Sequence, residues 1–77
     1  MKEYESLIHY FNDTLSILIE RFKEAALECK NTEDEMKSGI ALGYYMTISF
    51  QLNQAEVFDV KKHLKPDIVS FKPEQFI

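Results

Sequence analysis

The sequence predicts an all-α fold: an antiparallel two-helix hairpin with an extended C-terminal tail, assembled as a homodimeric four-helix bundle. Three observations predict it. Apolar residues recur at helical spacing through the first part of the chain, only two glycines and two prolines interrupt it, and the stretch between Lys37 and Glu56 carries no charge. Scarce turn formers favour long helices over a sheet of many short strands. The composition, 45% hydrophobic with four tyrosines and six phenylalanines, is that of a folding chain and not of a disordered acidic tail.

The first helix is expected at about residues 2–30. Tyr4, Ile8, Phe11, Leu15, Leu18, Phe22, Ala25 and Cys29 follow one another at intervals of four and three, the seam that faces a partner helix in a bundle. Leu7, Ile19 and Ala26 widen it. His9, Asp13, Ser16, Glu20, Lys23 and Lys30 fall on the opposite, solvated side, which Tyr10, Ile17 and Leu27 interrupt as a second, smaller contact.

The turn is marked by Asn31 and Thr32. Asn tolerates the left-handed conformation that ends a helix, and Thr32 with Glu35 three residues on has the capping-box pattern, with Glu33 and Asp34 at the positive end of the next dipole. A second helix is expected at about residues 33–59. Two helices of roughly 40 Å each at 1.5 Å per residue, joined by a tight turn, make an antiparallel hairpin spanning residues 1–60.

Helix two carries two apolar seams. Met36, Ile40, Gly43, Thr47, Phe50, Gln54 and Val57 form one; Ala41, Tyr45, Ile48, Leu52 and Ala55 form the other, offset by about 100°. The first is thin at Gly43 and Thr47, where Phe11, Leu15 or Phe22 could fit, and is assigned to the inside of the hairpin. The second is then left for another chain or for the C-terminal tail. The candidate interface residues are therefore Gly39, Gly43, Tyr45, Ile48, Leu52 and Ala55, the Gly39-x-x-x-Gly43 pair being read as close packing of helices in water.

Residues 61–77 form the tail, which the sequence places along the bundle. Pro66 disfavours helix at Lys65 and Pro73 can start a short turn, giving an extended segment whose candidate docking residues are Ile68, Phe71, Phe76 and Ile77. Burial against the hairpin or a partner chain accounts for so many apolar residues; a detachable docking peptide is the functional alternative.

The formal net charge of −4 and pI near 5.0 argue against nucleic acid, which needs a basic face to release counterions. A single cysteine, Cys29, rules out an internal disulfide, and the acid-containing N-terminus lacks the pattern of a signal peptide, so a cytoplasmic location is expected. The uncharged stretch approaches the length of a membrane span, yet Thr47, Gln51, Asn53 and Gln54 would be costly in lipid. No membrane partner is expected.

Candidate chemistry is sparse. Glu5, His9 and Asp13 are spaced by four and share a helical face, but they lie off the apolar seam and lack the Glu-x-x-His repeat of di-iron bundles. Asp59 and His63, beside Lys61, Lys62 and Lys65, could hold an anion or a phosphate backbone, although cations at a helix C-terminus are explained by the dipole. Cys29 on the seam is expected to be a buried thiol. No catalytic residue, cofactor site or metal site is assigned. The expected role is that of a small interaction protein, an adaptor or a regulatory or inhibitory subunit, dimeric and with a possible further protein partner. The alternative is an enzyme or metal-binding protein with a site built across the dimer around His9 or His63 and nearby carboxylates. A histidine and two carboxylates converging in a cleft would favour that alternative; a flat hydrophobic patch would favour the interaction protein.

Overall fold

The computed structural model describes residues 2–31 and 34–76. Helix α1 runs Lys2–Asn31 and helix α2 Glu35–Val57, packed against each other as a hairpin. A 3₁₀ turn at Lys61–His63, a single-turn helix α3 at Pro66–Val69 and a second 3₁₀ turn at Pro73–Phe76 follow. No strand occurs among the described residues.

The start of α2 differs from the expected capping box. Asp34 is the N-cap, in extended conformation, and its side chain accepts a 2.9 Å hydrogen bond from the Met36 N–H; Thr32 and Glu33 lie outside the described residues. A carboxylate at this position also meets the positive end of the dipole, which strengthens the cap.

Helix α2 stops at Val57, because Asp59 adopts a left-handed φ of 56°. The Val60 N–H then reaches back to the Ala55 carbonyl at 2.9 Å and the Asp59 N–H to the Glu56 carbonyl at 3.1 Å. This pair of bonds is the Schellman closure of a helix, built here on aspartate where glycine is commoner. As a result the two helices are unequal, 30 residues against 23, and α1 overhangs by about 10 Å at 1.5 Å per residue.

The core is narrower than the sequence suggests and is rotated. On α1 the buried residues are Leu15, Ile19, Phe22 and Ala26, and on α2 they are Ala41, Ile48 and Ala55. Extended back through half-buried Ile8 and buried Asn12, the α1 row keeps intervals of four and three. Tyr4 and Phe11, expected inside, are largely exposed. Counting Asn12 as polar shifts the apparent seam toward them; the row that includes Asn12 is the one that packs.

The two seams of α2 exchange places. Ala41, Tyr45, Ile48, Leu52 and Ala55 face α1, with Ile48 fully buried in the same cluster as Phe22. Met36, Ile40, Phe50 and Val57 of the seam assigned inward are exposed, as are Gly43 and Thr47. Ala41, Ile48 and Ala55 are spaced by seven, small residues flanking one branched residue, so α1 can approach closely along this row. The tail reinforces the same side of the hairpin.

That tail is a chain of short helical turns and not an extended segment. Lys65 takes an extended conformation (φ −61°, ψ 145°) and Pro66 opens α3, where its fixed φ suits a first helical position and its missing N–H is not needed. Ile68 is buried in the hairpin core, and Leu64, Phe71 and Phe76 pack around it. The Phe22 ring lies 6.1 Å from Phe71 and 5.8 Å from Phe76, both edge-on, an arrangement in which ring edges meet ring faces. Lys23 covers the pair, its Nζ 5.6 Å from the Phe71 ring centre. Ile77, named with these docking residues, lies outside the described residues.

Candidate interaction surfaces

Three features outside the core stand out: a polar clasp, an apolar outer face and a pocket. The clasp is Asn12, a polar side chain buried in the hairpin. Its amide nitrogen donates to the Ile8 carbonyl at 3.0 Å and to the His63 carbonyl at 2.9 Å, while its oxygen accepts the Lys65 N–H at 2.7 Å. Both amide hydrogens are used. One side chain on α1 thus fixes the chain on both sides of Leu64, immediately before Pro66, and so sets where the tail turns back. Sequence reading passed over Asn12; its signal was a polar residue on an otherwise unbroken apolar row, between Ile8 and Leu15.

The outer face of α2 is the second feature. Met36, Ile40, Leu42, Met46 and Phe50 are all exposed, with Val57 leaving 73% of its surface in water. Gly39 and Gly43 lie on the same face, and a methyl group placed on either would meet nothing within 4 Å beyond the adjoining backbone of its own helix. The expectation that Gly43 makes room for α1 is therefore corrected: it opens to the outside. Of the residues named for an interface, Gly39 and Gly43 lie on the free face, while Tyr45, Ile48, Leu52 and Ala55 lie toward α1 within one chain.

The pocket lies at the open end of the hairpin. The overhanging first turns of α1, the end of α2 and the turn after it enclose about 380 Å³. Leu15 and Ala55 are its most buried lining residues. Tyr4, Leu7, Phe11, Phe58 and Val60 line it as well, each with much of its surface exposed. Among the described residues that line it there is no carboxylate, lysine or arginine. At its edge the Tyr4 hydroxyl lies 2.6 Å from Nε2 of His63, the two rings standing at 88°.

The polar candidates of the sequence are dispersed. Glu5, His9 and Asp13 are exposed on α1, and among the described residues no group of three or more His, Cys, Asp or Glu side chains is placed to hold a metal ion. His63 stands beside Tyr4, while Asp59 pairs with Lys62 at 3.5 Å and Glu56 with Lys61 at 3.7 Å. Within one chain, and among the described residues, His63 is not joined by two carboxylates. Cys29, half-buried at the closed end, has its Sγ 3.1 Å from the Ser38 hydroxyl. No described helix is long and apolar enough to cross a membrane.

Comparison with protein-family models, curated proteins and solved structures finds no match.

Proposed function

We propose that the protein is a small interaction module, an adaptor or a regulatory or inhibitory subunit, that pairs with a second copy through the outer face of α2 to form a four-helix bundle. The observation that carries this reading is the exposed, uncharged row of Met36, Ile40, Leu42, Met46, Phe50 and Val57. Six such side chains, at roughly 100 to 150 Å² of exposed surface each, offer on the order of 700 Å², close to the ~800 Å² that each partner contributes to a standard interface. A helix with two apolar rows needs cover on two sides, and α1 with the tail covers one side only.

Charge favours a second copy as the occupant. Each chain carries a net −4, so two copies meet with least repulsion through the segment between Lys37 and Glu56, which has no charge. Gly39 and Gly43 on this face permit close backbone approach. This reading moves the interface from the Ile48 row to the opposite face of the same helix. A cytosolic setting, with Cys29 as the only cysteine, fits the same picture.

Phe50→Glu tests the proposal, since it places a charge in the interface without touching the hairpin core. Sedimentation should show dimers for the parent protein and monomers for the variant, with helicity unchanged by circular dichroism. Leu27→Glu, on the exposed side of α1, should leave the dimer intact. Equal association states for Phe50→Glu and the parent would refute the assignment.

A further inference from the structure

The pocket at the open end adjoins that face at Gln54, but none of the six residues proposed to pair, Met36, Ile40, Leu42, Met46, Phe50 and Val57, lines it. We infer that it is a binding site for a small, neutral, largely apolar molecule carrying one hydrogen-bonding group. Its size, about 380 Å³, falls in the ~300 to 1,000 Å³ range of small-molecule sites. Its lining decides the chemistry. Aliphatic and aromatic side chains form the walls, and an ionised ligand would be desolvated there without a counter-charge from any described lining residue. Among the described lining residues, polar groups sit at two places, the Tyr4–His63 pair on one side and the Gln51 and Gln54 amides on the α2 side.

The walls are built in advance. The segment carrying His63 and Leu64 is held by Asn12 through the His63 carbonyl and the Lys65 N–H, and the Val60 N–H is fixed to Ala55 by the turn at Asp59. A ligand would therefore enter a standing cavity, with little ordering cost. The unequal lengths of α1 and α2 are what leave it unfilled. Aromatic and aliphatic edges of Tyr4, Phe11 and Phe58, now exposed, would lose contact with water when the site is occupied, which supplies the driving force.

The probe for this site is N-phenyl-1-naphthylamine, which is neutral, aromatic and bears one N–H. Titrated into the full chain, its fluorescence should rise and saturate at one probe per chain. Gln51→Trp, which fills the pocket from an exposed position on α2, should weaken binding at least about tenfold, or ~1.4 kcal/mol, while Leu27→Glu at the far end should not change it. Leu7→Trp fills the pocket from α1 and gives the same readout if Gln51→Trp loses its helicity. Four outcomes would overturn the proposal. They are no saturation, equal affinity in the filled variants, loss of binding in Phe50→Glu, or an association state altered by Gln51→Trp. The third would place the probe on the dimer face, and the fourth would make a second copy the occupant. Since saturation is read per chain, failure of dimerisation leaves this test standing.

Discussion

Replacing Asn12 by alanine removes the buried side chain that ties the backbone of the tail's entry to α1. Two bonds across the fold disappear, 2.9 Å to the His63 carbonyl and 2.7 Å from the Lys65 N–H, and each is worth ~0.5 to 1.5 kcal/mol net, more where the abandoned partner stays out of water. Alanine recovers up to ~0.7 kcal/mol of helix propensity. The expected loss is therefore about 2 kcal/mol. A domain of this length has a total stability of roughly 4 to 12 kcal/mol at ~0.05 to 0.15 kcal/mol per residue, so the change should be plain in a urea melt and should lower Tm by about 10 °C. Hydrogen exchange gives the local readout. The Lys65 amide, protected in the parent, should exchange faster in the variant by more than global destabilisation explains. A loss under 0.5 kcal/mol in the urea melt, or an unchanged Lys65 amide, would show that the tail is positioned by its apolar contacts alone.

Other substitutions probe separate parts of the account. Ile68→Ala, at a fully enclosed position of the core, should cost about 3 kcal/mol in chemical denaturation, because the tail packs as part of the hairpin. Asp59→Gly should stabilise by about 0.5 to 1 kcal/mol by relieving the left-handed φ, and a loss of stability would mean that the Asp59 side chain matters more than its backbone. Ile48→Asp should abolish cooperative unfolding and not merely dissociate a dimer, since its side chain lies inside one chain and a buried unpaired charge is costly. Gly43→Ala should raise the stability of the dilute monomer by about 1 kcal/mol through helix propensity, yet weaken self-association by holding two α2 helices apart. Opposite signs in the two assays would separate the open space over Gly43 in one chain from its role between two.

Periodicity made the hairpin legible in the sequence, because rows of three and four survive small errors of rotation. Choosing which row faced inward was harder. Asn12 interrupts the true row of α1, and a polar residue there reads as an edge until the tail's backbone is seen to be its partner. On α2 nearly every face is apolar, so the pattern alone could not rank the Ile48 row against the Phe50 row; the small residues Ala41 and Ala55 decide in favour of the first. The helical turns of the tail were partly announced by Pro66 and Pro73, but their order depends on burial of Ile68 and on the Phe22 cluster, which are contacts between distant parts of the chain. The pocket left no sequence signal. It follows from the early end of α2 at Asp59, a left-handed aspartate where glycine would have been the readable sign.

Sedimentation equilibrium of the unmodified protein, from low to high micromolar concentration, tests the central claim most directly. The account predicts a reversible monomer–dimer equilibrium that shifts to dimer within that range, as expected for an apolar face of standard interface size. A single monomeric species throughout would contradict it and leave the outer face of α2 without a second copy to cover it.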